Sequence, residues 1–227
     1  ANAKLKHGKK LTWLHTSTEL SQKGKSIVAL KQQENYYSAF QKIVAVSEGV
    51  KQSFINLFPS QKERVIVVHN PIDVNNIIKK SEERITLSHP DCPLFVSVGR
   101  MTPAKGYDRY LKVINRLVKD GFRFEVWIIG GGDRTEYEAF SRSNGLTNVR
   151  FLGNQSNPYP YMEMADWIVI PSLIEGLSTV VMEGITLGKP ILATDCPGMR
   201  ELLGESVVDN NEDSIEDGLR RILTGNQ

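Results

Sequence analysis

Short apolar runs alternate with amphipathic segments along most of the chain. Several runs are continuous stretches of β-branched residues, as expected for strands that are buried on both faces of a sheet. Strands that alternate with helical segments are typical of a parallel sheet covered by helices, so the pattern predicts an α/β fold. The predicted strands are residues 11–15, 43–46, 65–68, 94–98, 124–129, 149–152, 167–170 and 191–193.

Between these runs the apolar spacing changes to that of helices. The clearest case begins at Tyr107, where apolar residues recur at i, i+3, i+4, i+7, i+10 and i+11 up to Val118. That spacing places them on one face of an amphipathic helix, and Gly121 is suited to end it. Further helices are predicted for residues 27–41, 134–144, 178–187 and 214–223.

Residues 70–93 interrupt this alternation, because they contain prolines, mixed charges and no strong strand pattern. They predict a linker between two domains. Residues 1–69 hold three predicted strands, too few for an independent doubly wound domain, whereas residues 94–227 hold a nearly complete one. We therefore expect the chain to begin partway through a first domain and to continue into a doubly wound, Rossmann-like second domain.

The composition limits which kinds of partner and which cellular compartment are expected. The chain has 28 Lys and Arg against 26 Asp and Glu, and its net charge of +2 is too small to suggest a partner with a phosphate backbone. Nucleic acid is therefore not expected as a partner. The two cysteines, Cys92 and Cys196, form no metal-ligand or disulfide pattern. They indicate a reducing compartment and predict a cytoplasmic location.

Lysines cluster near the N-terminus, and two interpretations of them stay open. The cluster could rest on anionic lipid at the cytoplasmic face of the inner membrane, each charge near the surface contributing about 1 kcal/mol. The alternative is an ordinary solvated face. The residues are Lys4, Lys6, Lys9, Lys10, Lys23 and Lys25.

Two glutamates, Glu175 and Glu183, are separated by seven residues and follow the predicted strand at residues 167–170. Ser178 or Thr179 can cap the helix that begins between them, which leaves the first helix amides free to face a ligand. In folds of this type, phosphate binds at a helix N-terminus beyond the carboxyl end of a parallel strand. The segment therefore predicts a phosphate site flanked by two carboxylates.

The two carboxylates suit different parts of a ligand. Glu183 lies about one turn into the helix, and helical side chains tilt toward the N-terminus. Its carboxylate would repel phosphate but suits a neutral diol such as ribose, whereas Glu175 can meet whatever the phosphate carries. Each has a simpler interpretation, Glu183 as a favourable charge near the helix dipole and Glu175 as a solvated turn residue. Both together favour a binding function.

A second loop with suitable chemistry follows the predicted strand at residues 94–98. Gly99 and Gly106 bracket this loop, which carries Arg100 and Lys105. The planar fork of arginine and the mobile charge of lysine suit a diphosphate whose charge grows as a sugar departs. Alone, two basic loop residues are usually just solvated; joined to the glutamate pair, they predict a diphosphate site.

Other motifs mainly exclude alternatives. Gly130, Gly131 and Gly132 do not form the G-x-G-x-x-G pattern, so a nicotinamide site is not expected; they permit either a close backbone approach or a simple turn. His15 ends the first predicted strand, where a lone histidine is more often structural. No Asp-x-Asp pair is present to hold a metal-bound diphosphate. We therefore expect a metal-independent site without a cofactor.

Several stretches, in this order along the chain, resemble family 4 of the retaining glycosyltransferases, particularly bacterial enzymes of capsule and exopolysaccharide assembly. The resemblance implies a GT-B enzyme, of which this chain would supply the Rossmann-like donor domain and the tail of the acceptor domain. It implies sugar transfer from a nucleoside diphosphate, with UDP as the first candidate, to a polysaccharide or lipid-linked acceptor, keeping the anomeric configuration. The matching stretches are LTWLHT, QKIVAVSEGVKQSF, VIVVHNPID, FVSVGRMTPAKGYDRYL, the segment from VRFLGN to ILATD, and PGMREL.

The resemblance also implies a role for each candidate residue. The transferred sugar would contact Glu175, and His15 would extend toward it from the first domain; these two are the candidate catalytic residues. Glu183 would bind the ribose hydroxyls. The diphosphate would contact Arg100, Lys105, Ser178 and Thr179, the sugar would also contact Gly176 and Leu177, and the base would contact Phe151, Leu152, Gly153 and Asn154.

The chain departs from the family pattern in three places. The first half of the acceptor domain has no counterpart, and the segment at residues 203–207 is shorter than usual, as is the stretch around residues 20–24. Three alternatives follow: a donor-binding fragment without transfer activity of its own, a phosphorylase, or a sugar-nucleotide epimerase. A phosphorylase would carry a pyridoxal-bearing lysine motif, which the sequence does not show. For the chain as given, we expect donor binding with little or no transfer.

Overall fold

The computed structural model describes residues 9–18 and 27–225. The first part of the chain forms a three-stranded parallel sheet in the order β1-β2-β3. Its strands are β1 (Leu11–Leu14), β2 (Lys42–Ala45) and β3 (Val65–Val67), and its helices are α1 (Ile27–Ser38) and α2 (Glu48–Leu57). All three strands predicted in this region are confirmed, with ends that differ by one residue.

Helix α2 covers one face of this sheet. Ser47 caps the helix by accepting a hydrogen bond from the Val50 amide at 3.1 Å. Phe54 and Phe58 are buried against Ile43 on β2. Burial of aromatic and β-branched side chains is the main favourable term here, because each removes a large apolar area from water.

The segment between the two sheets is not wholly irregular. Helix α3 (Val74–Ser81) lies within the predicted linker at residues 70–93. Asp73 starts the helix by accepting the Asn76 amide at 3.0 Å. Ile77 is its one buried side chain, so the apolar pattern was too sparse to predict a helix. The domain boundaries themselves stay a prediction.

The second part of the chain forms a six-stranded sheet in the order β6-β5-β4-β7-β8-β9. Every strand pair in it is parallel. Its strands are β4 (Leu94–Val98), β5 (Glu125–Ile129), β6 (Val149–Gly153), β7 (Trp167–Ile170), β8 (Ile191–Thr194) and β9 (Val207–Val208).

Helices cover both faces of this sheet. One face packs against buried side chains of α4 (Tyr107–Lys119) and α9 (Glu212–Leu223), and the other against α6 (Tyr159–Met164), α7 (Thr179–Thr186) and α8 (Met199–Leu203). Helix α5 (Thr135–Ser143) packs beside α4. The doubly wound, Rossmann-like fold expected from the sequence is confirmed.

Helices α2, α6 and α8 were not predicted as helices. The two latter have six and five residues, too short for a repeating apolar pattern. After α8, residues 204–206 lead directly into β9, and Gly204 adopts a φ of 59° in that tight connection. This is the region that the sequence showed to be short.

Two sequence expectations concern residues that the structure does not describe. Of the lysine cluster, Lys4, Lys6, Lys23 and Lys25 lie outside the described residues, as does the short stretch at residues 20–24. Among the residues that are described, none of the helices combines the length and apolar character needed to cross a bilayer.

Candidate functional site

The strand order of the second sheet reverses between β4 and β7. The chain runs from β4 outward to β6, returns, and then builds β7 to β9 on the other side of β4. The loops that follow β4 and β7 leave the sheet in opposite directions, which opens a crevice at the carboxyl ends of these two strands. Both loops singled out in the sequence meet at this crevice.

The loop after β4 is held by backbone bonds to its neighbours. The Gly99 amide donates to the Ile129 carbonyl at 2.8 Å, and the Met101 amide donates to the Gly131 carbonyl at 2.8 Å. A Cβ atom on Gly130 would lie 1.9 Å from the Gly99 carbonyl oxygen. Of the two interpretations left open for the glycine run, the structure shows a close approach between two backbones.

The loop after β7 is held against the first loop by a buried arginine. Arg109, on α4, is 6% exposed. Its guanidinium donates to the carbonyls of Pro171 at 2.8 Å and 3.1 Å, of Ser172 at 3.0 Å and of Asn210 at 3.1 Å. Burial lowers the pKa of Arg109. The group nevertheless stays charged at neutral pH, because a guanidinium is too basic to lose its proton there.

Two more side chains converge on the Ser172 carbonyl. The Thr194 hydroxyl donates to it at 2.6 Å, and the Cys196 thiol donates at 3.2 Å. Burial, followed by the nearby Glu175 carboxylate, raises the pKa of Cys196 to about 11. The thiol therefore keeps its proton at neutral pH and remains a donor. The backbone after β7 is thus fixed before any ligand binds.

Lys105 and Glu175 meet at the crevice. The Lys105 ammonium pairs with the Glu175 carboxylate, and the Ser172 hydroxyl donates to the same carboxylate oxygen at 2.8 Å. Their side chains are 23% and 12% exposed. A half-enclosed pair of this kind is screened less than a surface pair, so both charges are held in place. Arg100, on the same loop, is exposed.

Helix α7 begins at Thr179, four residues after Glu175. Ser178 caps the helix by accepting the Val181 amide at 3.4 Å, so the cap predicted from the sequence is present. Thr179 is the first helical residue and is exposed, whereas Gly176 and Leu177 are buried in the preceding turn. The first amides of a helix have no intrahelical acceptor and attract anions. The sequence-predicted diphosphate residues Lys105, Ser178 and Thr179 therefore share one edge of the sheet.

The first sheet contacts this turn directly. A Cβ atom on Gly176 would lie 2.1 Å from the His15 carbonyl oxygen, so the two backbones are in contact. The Ser47 hydroxyl donates to the Gly176 carbonyl at 3.1 Å. The Gly49 amide donates to Glu201, on α8, at 2.8 Å. His15 is exposed beside the turn that carries Glu175, and the role of its side chain stays a prediction.

Glu183 lies in a separate part of the site. It borders a cavity of about 130 Å³ formed by the linker, α3, α6 and α7. Burial raises the pKa of Glu183, and the Tyr159 hydroxyl donates to its carboxylate at 3.3 Å. Thr179 lines the same cavity, so the Glu183 cavity adjoins the N-terminus of α7.

The predicted base-binding turn ends β6. The side chains of Phe151 and Leu152 pack against the two cores of the sheet, which leaves mainly their backbone groups for a ligand. Gly153 adopts a φ of 68°, and Asn154 is exposed. Arg134 donates to the Phe151 carbonyl at 3.5 Å and lies beside this turn. A base contact at this turn stays a prediction.

Sequence reasoning missed Arg109, Ser172 and Tyr159. Arg109 is one of several charged residues on an amphipathic helix, and nothing in the local pattern marks it as buried. Ser172 and Tyr159 lie in irregular or short segments, where polar residues are common. In the described parts of the chain, no group of three or more His, Cys, Asp or Glu residues is placed to hold a metal ion.

Curated relatives include enzymes from bacteria and archaea. The N-acetylgalactosamine-N,N'-diacetylbacillosaminyl-diphospho-undecaprenol 4-alpha-N-acetylgalactosaminyltransferase of Campylobacter jejuni is 29% identical over 189 residues, covering 80% of this chain and 50% of the relative. An uncharacterized glycosyltransferase of Methanocaldococcus jannaschii is 27% identical over 250 residues, covering 98% of this chain and 63% of the relative. The chain thus spans about half to two thirds of these relatives.

Solved structures share the fold. HepE of Anabaena in complex with UDP superposes with a TM-score of 0.79 at 18% identity, covering 96% of this chain and 63% of that one. WaaG, a glycosyltransferase involved in lipopolysaccharide biosynthesis, gives 0.73 at 19% identity, covering 96% and 66%. The family described as Glycosyl transferases group 1 matches residues 92–225, which include both loops and both glutamates. Since that match covers more than half of the chain, the protein belongs to the Glycosyl transferases group 1 family.

Proposed function

We propose that this chain forms the donor side of a retaining glycosyltransferase of family 4 that takes a hexose or related sugar from UDP. The observation that carries the proposal is the pairing of Lys105 with Glu175 where the strand order of the sheet reverses, four residues before the N-terminus of α7. A diphosphate there gains a cation and free helix amides, and a sugar attached to it extends toward the carboxylate.

The Lys105–Glu175 pair has a defined role in this proposal. As the sugar leaves, negative charge grows on the departing diphosphate, and a preorganised cation stabilises that charge without further reorganisation. Glu175 and Ser172 keep the ammonium in the crevice before the donor arrives. Arg100 is exposed on the same loop and is proposed to add a second cation.

The rest of the donor is assigned by chemistry and position. Glu183, in its half-buried cavity, accepts the ribose hydroxyls, and the turn from Phe151 to Asn154 receives the base. The sugar lies against the amides of Gly176 and Leu177, and His15 reaches it from the first sheet. No nucleophile is assigned; the proposed retaining reaction proceeds on one face of the sugar, with the leaving phosphate helping to deprotonate the acceptor.

The acceptor is proposed to be a saccharide or a lipid-linked saccharide. The Campylobacter relative is named for a diphospho-undecaprenol substrate, and WaaG is described as acting in lipopolysaccharide biosynthesis. Polysaccharide or capsule assembly at the cytoplasmic face of a membrane is consistent with such acceptors. The structure of HepE contains UDP, which supports UDP as the first nucleotide to test.

UDP is expected to bind without added metal, because lysine, arginine and helix amides suffice to neutralise the diphosphate in this site. Calorimetric titration of UDP in the presence of EDTA checks this expectation, with CDP and GDP as comparisons for the base. Binding that disappears in EDTA and returns with Mg²⁺ would show that a metal ion takes part.

Substitutions of the two glutamates are expected to affect the binding of different ligands. Glu183→Gln should weaken UDP and UDP-sugar alike by about 1.5–3 kcal/mol, roughly 10- to 100-fold, because ribose is common to both. Glu175→Gln should spare UDP relative to Glu183→Gln and reduce the extra affinity or turnover that depends on the sugar. Titrations of both ligands into each variant make the comparison.

Glu163→Gln provides the matched control, since Glu163 is exposed on α6 and pairs only loosely with Lys189 at 3.5 Å. It should bind both ligands as the parent does. Parental UDP affinity in Glu183→Gln would contradict the ribose assignment while leaving the diphosphate site intact.

A further inference from the structure

The cavity beside Glu183 brings together groups from three segments that are distant in sequence. Pro71, Ile72 and Ile77 line it from the linker and α3, Glu183 lines it from α7, and Tyr159 lines it from α6. The cavity has a volume of about 130 Å³, and Thr179 lines it from the first residue of α7.

Within this cavity the Glu183 carboxylate is paired with a hydroxyl. The Tyr159 hydroxyl lies 3.3 Å from the Glu183 oxygen. Burial raises the pKa of Glu183, and burial followed by the carboxylate raises the pKa of Tyr159. A half-buried carboxylate needs a donor, and the tyrosine remains protonated, so it always supplies one. A single hydroxyl proton leaves the carboxylate with acceptor capacity for further donors.

Tyr159 is itself held in place. Asn157 accepts the Tyr159 amide at 3.2 Å and donates its own side-chain amide to the Lys80 carbonyl at 2.9 Å. The start of α6 is therefore tied to the linker region just before the end of α3. The tyrosine ring packs against the core on this face of the sheet. The backbone of Tyr159 is therefore fixed by a hydrogen bond, and packing against the core restricts the rotamers of its ring.

We propose that Tyr159 is a positioning residue that orients Glu183 and thereby sets a preference for ribonucleotides over 2′-deoxyribonucleotides. The inference rests on the proposed function, because it assumes that Glu183 meets the ribose. A carboxylate locked by one donor presents its remaining lone pairs in a fixed direction, toward two adjacent hydroxyls. With only one hydroxyl present, as in 2′-deoxyribose, one of these directions has no donor.

The test compares UDP with dUDP, using calorimetry on the parent chain and on Tyr159→Phe. The parent should bind UDP at least roughly tenfold more tightly than dUDP, since a hydrogen bond to a charged group is lost. Tyr159→Phe should lose roughly fivefold in UDP affinity and much less in dUDP affinity, so that the ratio falls. If the ratio of UDP affinity to dUDP affinity in Tyr159→Phe equals that of the parent, the proposal is overturned.

Tyr161→Phe is the matched control. Tyr161 lies on the same helix and its hydroxyl donates to Gln155 at 3.3 Å, the same length as the Tyr159 bond. Removing it deletes an equivalent hydroxyl without touching Glu183, so the ratio should stay parental. A fall in the ratio equal to that of Tyr159→Phe would assign the effect to α6 as a whole and overturn the role of Tyr159.

A double variant separates orientation from direct contact. If Tyr159 acts through Glu183, Tyr159→Phe should cause no further loss of UDP affinity when added to Glu183→Gln. Additive losses overturn the positioning role. If the parent chain binds neither nucleotide, the proposed function itself is overturned. If the parent binds both nucleotides equally, only the inferred preference for ribonucleotides is overturned. Thermal unfolding of each variant reports whether it folds.

Discussion

Replacing Arg109 with alanine is expected to lower the free energy of unfolding by about 3–5 kcal/mol. The buried guanidinium supplies donors to the carbonyls of Pro171, Ser172 and Asn210. Alanine would leave the Pro171 carbonyl without the two bonds it accepts from Arg109, in a position too enclosed for water to replace them freely. Urea denaturation gives the free energy and shows whether the surface exposed on unfolding is unchanged.

Arg116→Ala is the control for this experiment. Arg116 lies on the same helix, but its side chain is 39% exposed, and it pairs with Glu212 and Glu216, whose side chains are 32% and 15% exposed. Water screens these partly exposed pairs, and Glu216 keeps its second partner Arg220, so the loss should be about 1 kcal/mol. Equal losses for the two arginines would contradict the view that Arg109 secures the loop after β7.

Replacing Arg109 should also weaken binding at the donor site. The backbone of residues 171–172 carries the Ser172 hydroxyl, which bonds Glu175, and leads into the N-terminus of α7. A loop that is no longer fixed holds Glu175 and the helix amides less accurately, so UDP affinity should fall in folded Arg109→Ala protein. Arg109→Lys should be intermediate, because an ammonium cannot bond several carbonyls in the planar geometry of a guanidinium.

Gly176→Ala is the second large effect that we expect. A methyl group here would lie 2.1 Å from the His15 carbonyl oxygen, and neither backbone has a flexible end that can move aside. Gly176 is not among the glycines with positive φ, so the backbone conformation itself permits alanine. The contact between the sheets must therefore open, at a loss of about 3 kcal/mol.

Hydrogen exchange locates this loss. The amides of β1 and β2 should exchange faster in Gly176→Ala, because the first sheet is released from the turn that it contacts. The amides of β4 and β5, in the centre of the second sheet, should keep their protection. Uniformly faster exchange in both sheets would indicate general destabilisation and contradict a local opening of the contact.

Gly131→Ala is the matched substitution. Its Cβ atom would meet Asn154 at 3.6 Å, an ordinary van der Waals distance, and Gly131 is also not among the glycines with positive φ. We expect a change within about 0.5 kcal/mol. The contrast between two glycines in loops at the same edge of the sheet isolates the contact with His15 from the general effect of replacing glycine.

A second glycine, Gly198, lies at the contact between Gly176 and the first sheet and leaves little freedom in its geometry. A Cβ atom on Gly198 would lie 1.9 Å from the Gly176 carbonyl oxygen, and Gly198 also adopts a φ of 85°. Gly49 would likewise place a Cβ atom 2.8 Å from the Gly198 amide. Three backbones that approach this closely set the position of the first sheet relative to the loop after β7.

Much of the fold could be predicted from the sequence because its signals are local. The strand at residues 94–98 is apolar at every position except Ser97, and α4 repeats its apolar residues at helical spacing. Ser178 precedes its helix in the position that a cap requires. The glutamate pair and the Arg100–Lys105 loop were found for a similar reason, since residue type and short spacing indicate their chemistry.

Only the tertiary structure could decide which of these residues meet. Lys105 and Glu175 are 70 positions apart, and the side chain of Arg109 reaches the Pro171 carbonyl 62 positions away. These contacts depend on the order of strands in the sheet, which reverses between β4 and β7. Local spacing contains no information on that order.

The sequence by itself therefore determined the α/β fold, most of its strands and the chemistry of its candidate donor loops. The tertiary structure decided that the glycine run after β5 serves a close approach to the loop after β4, that Tyr159 faces Glu183, and that His15 lies against Gly176. The physical reason is the distance along the chain over which each signal acts. Apolar periodicity and helix caps involve residues only a few positions apart. Burial and close contact instead depend on distant segments that come together only when the sheets pack.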